Sequence, residues 1–276
     1  MNIRTSAWWK VILLLIGGFI LFFFLYGLGT IIFESIPWLH LTIPFGIVYG
    51  IIMLLIYELL IRAFEHTWSK TLPMNKLVSD MLKGLSVGIF FFLIVTGIMF
   101  IIGSYHVTDT SFNNVFFSQL SQFFIVAASE EILFRGIVFR LIDKKWNTIW
   151  ALLVSALFFG LVHLGNEGVT LWGAVAIAIE AGLLLGVCYK ASGTLWLPIG
   201  IHWAWNVMEG PVLGFPVSGN VDSISIITAE VKGSEVITGG AFGPEASIIA
   251  AVLGLAIALY VWWRYNLRLR SETKTL

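Results

Sequence analysis

The residues that could do chemistry fall in three short runs. Ser129-Glu130-Glu131-Ile132-Leu133-Phe134-Arg135-Gly136 sets two adjacent carboxylates and an arginine inside an apolar stretch from about Phe116 to Leu141. Phe158-Phe159-Gly160-Leu161-Val162-His163 places Phe159 and His163 four apart, and His202-Trp203-Ala204-Trp205-Asn206 does the same for His202 and Asn206. On a helix this spacing puts each pair on one face. Glu131 can then pair with Arg135, while Glu130 points to the next face. A charged side chain at the centre of a membrane helix costs roughly 2.5–3.5 kcal/mol, so such groups face an interior and mark function. The combined inventory is two carboxylates, two imidazoles, a carboxamide and a guanidinium, and it suits hydrolysis. A carboxylate in a low-dielectric site serves as general base on water. One histidine shares that water or protonates a leaving amine, and a second histidine with an asparagine donates to a developing oxyanion. The plainer account is structural. An ion pair locking helix to helix explains Glu131 with Arg135 and leaves Glu130 without a role. A lone membrane histidine or asparagine is often interhelical glue, worth about 0.6 kcal/mol on average. Glue does not require a cluster on three helices.

The elements that must position these groups are membrane helices. The chain is 58% hydrophobic and 12% charged, against about 25% charged in soluble domains. Apolar runs of spanning length occur near 11–33, 41–61, 84–103, 116–141, 147–164, 170–190, 195–211 and 246–263. The expectation is an all-α, polytopic integral membrane bundle of about eight transmembrane helices, forming one domain over 1–276. The fourth, fifth and seventh helices would carry the catalytic core. The first run is longer than the apolar part of a signal peptide and reads as a retained helix. Most connections are short. The 212–245 connection is long and rich in Gly and Ser, and its β-prone patch Ser223-Ile224-Ser225-Ile226-Ile227 suggests a short hairpin or lid.

Charge sets the orientation. Arg4, Lys10, Arg62, Lys70, Lys76, Lys83, Arg140, Lys144, Lys145, Lys190, Arg264, Arg268, Arg270 and Lys274 all fall on one side of an eight-span chain. The opposite side holds Lys232 against Glu34, Asp109, Glu167, Asp222, Glu230, Glu235 and Glu245. Both termini and the 264–276 tail are therefore expected in the cytoplasm, and the 212–245 loop outside it. Net charge is zero and no basic block has the density of a nucleic-acid footprint, so nucleic acid is set aside. Cys188, the one cysteine, reads as a small buried apolar residue. Glu58 reads as a boundary residue and Glu209 as solvated near the outer interface. Glu180, mid-helix, reads either as support for a catalytic histidine or as a neutral acid. Gly182 and Gly186 read as close-packing positions.

Glu130-Glu131-xxx-Arg135, Phe159-xxx-His163 and His202-xxx-Asn206, in that order, resemble the CAAX protease and bacteriocin-processing (CPBP, or Abi) family, to which the type II CAAX prenyl endopeptidases belong. The resemblance covers roughly residues 115–211; the flanks match no family. It implies an intramembrane endopeptidase acting on a hydrophobic or lipidated, membrane-associated protein. Glu130 with His163 would activate water, His202 with Asn206 would stabilise the oxyanion, and Glu131, Arg135 and Phe159 would support the site. It also implies a choice between a metal-free glutamate mechanism and a zinc site with Glu130, His163 and His202 as ligands. The metal-free form is favoured, because these residues lie on separate helices and lack the His-Glu-x-x-His spacing. Two other classes compete: a non-catalytic immunity or scaffold protein of the same fold, and a proton-coupled transporter using Glu130, Glu131, Glu180 and the histidines as a relay. The transporter reading lacks the internal repeat it would need.

Depth poses a conflict. At ~1.5 Å per residue, Glu130 lies ~15 Å from Arg140, His202 ~10 Å from Leu195, and His163 ~25 Å from Trp146. To meet the others, His163 needs its helix to start beyond the membrane boundary, to tilt, or to break at Gly160, or needs the 165–168 turn to dip inward.

Overall fold

The computed structural model describes residues 3–220 and 224–274. Asp222 and Ser223 of the long connection and the last two residues of the tail lie outside them. Among the described residues the chain is a bundle of eight long helices, as its composition requires. Helix α1 is Trp8–Ser35, α2 is Leu39–Glu65 and α3 is Leu77–Ile101. Helix α4 runs continuously over 115–145, as α-helix Val115–Glu131, π-helix Ile132–Phe139 and α-helix Arg140–Lys145. Helix α5 is Thr148–Val162 and closes in a 3-10 turn, His163–Gly165. Helix α6 covers 171–192 with a π stretch at Ala178–Leu183, and α7 covers 196–212 with a π stretch at Met208–Val212. Helix α8 is Ile248–Lys274.

Six of these are long and apolar enough to cross a membrane: α1, α2, α3, α5 with its turn, α6 and α8. The other two carry much of the polar chemistry. Helix α4 holds Glu130, Glu131 and Arg135 in its middle, and α7 is the shortest of the eight long helices apart from α5. Local signals fix the ends. Ile36, ahead of Pro37, is extended and stops α1. Asn147 accepts from the Trp150 backbone N–H and starts α5 after a two-residue turn. Leu13, Phe24 and Leu55 are each more than half exposed, so the outer faces of α1 and α2 form an apolar belt that water would not tolerate.

Small residues set the helix spacing. A Cβ on Gly84 or Gly88 of α3 would lie 2.5 Å from the backbone carbonyl of Leu197 or Ile201 on α7. Gly182 packs equally tightly on Ala156 of α5. Such contact lets backbones approach where the hydrophobic effect between helices is absent.

The long connection differs from the expected hairpin. Strand β2, Ile227–Val231, pairs antiparallel with β1, Tyr105–Thr110, in the connection before α4. The strand begins where the β-prone patch ends, sharing only Ile227 with it, and its partner comes from the connection after α3 rather than from a local hairpin.

The depth conflict between Glu130 and His163 resolves at the α4–α5 turn. Helix α4 does not stop near Arg140, which is buried against Glu65 at 2.6 Å; it continues to Lys145. Counted from Lys145 and Thr148 on either side of the turn, Glu130 and His163 both lie about fifteen residues in, or roughly 22 Å. Helix α5 is unbroken at Gly160.

Candidate active site

Helix α4 turns Glu130 and Glu131 onto different faces. Glu131 and Arg135 are wholly buried and pair at 2.7 Å between Oε1 and Nη1. Arg135 Nη2 also donates to the carbonyls of Ala181 and Gly182, at 2.8 and 3.2 Å. Those carbonyls belong to the π stretch of α6, whose irregular ladder leaves acceptors turned outward. The guanidinium carbon sits 4.8 Å from the Phe159 ring centre, so one cation joins α4, α5 and α6. Among the described residues each π stretch contains one buried ionisable group: Arg135, Glu180 or Glu209.

The histidines are fixed by their Nδ1 atoms. His202 Nδ1 lies 2.9 Å from Glu131 Oε1 and His163 Nδ1 lies 2.7 Å from the Phe159 carbonyl. A carboxylate and a carbonyl can only accept, so both Nδ1 atoms carry the hydrogen. Nε2 is then the free ring atom in each. His202 Nε2 is 3.9 Å from Glu130 Oε2. Phe159 spaces the two rings, with centroids 4.8 Å from His163 and 6.3 Å from His202.

Glu130, His163, His202 and Asn206 line one cavity of about 530 Å³. Of the supporting residues, Phe159 also reaches its wall, while Glu131 and Arg135 stand behind it. The cavity therefore offers a part-exposed carboxylate, two imidazole Nε2 atoms and a carboxamide, a set able to deprotonate water and to donate to an oxyanion. Among the described residues no group of three or more His, Cys, Asp or Glu is disposed to hold a metal ion.

Other expectations change. Glu209 is not solvated: it has no exposed surface, because the connection after α7 folds back on it, with Gly243 against its carboxyl and the Phe215 backbone N–H donating to its carbonyl. Glu180 is also fully buried, without a hydrogen-bond donor, so it does not orient either histidine. Glu58 holds the Arg62–Lys76 connection by accepting from the Ser69 backbone N–H at 2.9 Å. Tyr26 and Glu34 of α1, Gln119 and Gln122 of α4, and Ser218 and Glu245 of the long connection line the cavity although spacing gave no sign of them. Burial holds the Glu245 carboxyl above its ordinary range, partly offset by the Ser218 hydroxyl that donates to it.

Fold and centre together define a multi-pass helical membrane protein with a hydrolase-like polar cavity inside the bundle. Residues 111–208 match the model of the type II CAAX prenyl endopeptidase Rce1-like family. A stretch of 77 residues is 32% identical to a Bacillus subtilis (strain 168) protein named "Putative membrane peptidase YdiL", covering 28% of this chain and 29% of that protein. The chain thus spans under a third of that relative's length in the match. No solved structure matches. Over residues 111–208, the segment that carries the three motifs, the chain is similar to the type II CAAX prenyl endopeptidases, and over part of its length to a membrane peptidase.

Proposed function

We propose that this protein is an intramembrane endopeptidase that cleaves a hydrophobic or lipidated protein substrate by a glutamate-activated water. The observation that carries the reading is the convergence of Glu130, His163, His202 and Asn206, from three helices, on one cavity. A water between Glu130 and His163 Nε2 gives a proton to the Glu130 carboxylate as its oxygen adds to the scissile carbonyl carbon. The Asn206 amide, and His202 Nε2 when that ring carries both protons, donate to the resulting oxyanion. The proton on Glu130 passes to the amine nitrogen as the carbon–nitrogen bond breaks. Glu131 serves by holding His202 and Arg135 by holding Glu131.

A metal-free mechanism is the reading favoured by the separate helices of the three alternative ligands. An apolar recess lined by Phe19, Phe22 and Leu133 adjoins Glu130 and supports a substrate with an apolar segment or chain. Lys145 Nζ donates to the carbonyl of Ser6, so the N-terminus and the α4–α5 turn share one end of the bundle. With the cations gathered there, that end is read as cytoplasmic.

The test is cleavage of a quenched peptide library by purified protein in detergent, with Glu130→Ala and His163→Ala beside wild type. Each substitution is expected to lower the rate on the order of 10²–10⁴-fold while the protein still accumulates in the membrane. Cleavage that survives a zinc chelator supports the glutamate form, and loss under chelation returns a metal to the site. Unchanged cleavage in both variants overturns the assignment.

A further inference from the structure

We infer that Glu245, which lies outside the family-matched segment, is a positioning residue of the same active site, acting on His163 within the cavity that both line. The inference rests on the peptidase reading above. Glu245 sits in a 3-10 turn, Pro244–Ala246, just ahead of α8, and lines the cavity together with His163. It is only 2% exposed. The His163 ring and the Glu245 carboxyl line the same enclosed polar space, where charges are weakly screened. His163 has Nδ1–H committed to the Phe159 carbonyl, so Nε2 accepts a hydrogen bond from the water that Glu130 deprotonates, and positive charge builds on the ring as that bond strengthens. A fixed carboxylate in that space compensates the charge as it forms, which is where preorganised electrostatics act.

The structure goes to some length to hold this carboxylate. Ser218 donates its hydroxyl to Glu245 Oε1 and Trp205 Nε1 reaches Oε2 at 3.3 Å. Ser218 adopts φ 49°, a left-handed conformation uncommon for a residue with a Cβ. Such departures persist where surrounding structure imposes them, and they gather at functional sites. The next residue, Gly219, presses on the turn after His163: a Cβ there would lie 2.1 Å from the Glu167 carbonyl. Gly243 likewise leaves no room for a Cβ, with the Pro216 carbonyl at 2.3 Å and Glu209 Oε1 at 3.0 Å. Behind Glu245 stands Glu209, fully buried, whose carboxyl oxygens meet no donor other than Glu245 itself. Of these two buried carboxyls, Glu245 is the one that lines the cavity.

The decisive comparison is Glu245→Gln, Glu245→Asp and Ser218→Ala in the peptide-library assay, with KM and kcat measured separately and thermal unfolding recorded in the same detergent. Glu245→Gln keeps the shape and one acceptor, for Trp205 Nε1, and turns an amide donor toward the Ser218 hydroxyl, which can rotate to accept it, while losing the charge. Its kcat is expected to fall on the order of 100-fold with KM within about twofold, and its unfolding temperature to be no lower than that of wild type. Glu245→Asp should recover part of the loss, and Ser218→Ala should lose several-fold in kcat. Wild-type kcat in Glu245→Gln, while Glu130→Ala is inactive, overturns this inference and leaves the peptidase reading intact. Full activity in Glu130→Ala overturns the peptidase reading first. If wild type cleaves no peptide of the library, unfolding alone decides: a fall of several degrees in Glu245→Gln assigns the residue to structure and overturns its role at His163.

Discussion

Two buried polar centres flank the cavity, and they are built on opposite principles. On one side Glu131, Arg135 and His202 form a connected set in which a guanidinium lies between a carboxylate, two carbonyls and an aromatic face. On the other, Glu180, Glu209 and Glu245 cluster without a lysine or arginine bonded to them among the described residues. The first centre balances its charges and ties three helices together. The second carries uncompensated carboxyls in a place where solvation is lost, which is costly. A folded chain retains the first for what it joins and the second for what it faces.

The largest break in this contrast should come from removing one partner of the balanced centre. Arg135→Ala leaves Glu131 as an unpaired buried charge, and a loss of about 3–5 kcal/mol is expected. Little protein should then survive extraction, or its unfolding temperature in detergent should drop steeply. Replacing both partners, as Glu131→Met with Arg135→Met, should recover much of that stability and none of the activity, since His202 loses its anchor. Equal stability in the single and double variants would show that the ion pair is not what joins the helices.

A smaller effect separates the centres by pH. Glu245 has its folded-state proton affinity raised by burial, so the folded protein holds a proton there that the unfolded chain releases. The associated stability is complete below the ordinary carboxylate value of 4.5 and is lost as pH rises through the folded-state value. Within that window the slope is about 1.4 kcal/mol per pH unit for one group. Unfolding temperatures of wild type and Glu245→Gln from pH 4 upward should therefore diverge, with the variant flatter. Parallel curves would mean that Glu245 titrates as it does in water.

The same contrast explains what could be read from sequence. The balanced centre and the cavity face of α4, α5 and α7 were legible because they obey helix spacing: Glu131 with Arg135, Phe159 with His163, His202 with Asn206. Eight apolar runs gave the bundle, for the same reason that charged residues are excluded from lipid. The depth of Glu130 was misjudged because Arg140, taken as a boundary charge, is buried on Glu65. The second centre was illegible for a different reason. Glu209 and Glu245 lie on separate elements joined by a long irregular connection, so no helix spacing relates them, and their proximity depends on how that connection folds back over α7. Strand β1 escaped notice likewise, since its partner lies across four helices.

The smallest predicted effect is the one that most directly probes why the second centre persists. Glu180 has no exposed surface and no hydrogen-bond donor at either carboxyl oxygen. Helix α8 closes over it: a Cβ on Gly254 would sit 2.7 Å from Glu180 Cα. A buried polar group without partners lowers stability, and an apolar group of similar length restores packing without that penalty. Glu180→Met is therefore expected to leave stability unchanged or raise it by roughly 1 kcal/mol. The response of cleavage then locates the function within the centre. Unaltered kcat in Glu180→Met beside a large loss in Glu245→Gln would confine the working charge to the carboxylate on the cavity wall. A matching loss in both would make the carboxyls one unit. A destabilised Glu180→Met would show that this carboxyl is satisfied in the folded protein, and the contrast between the two centres would narrow to the cavity wall alone.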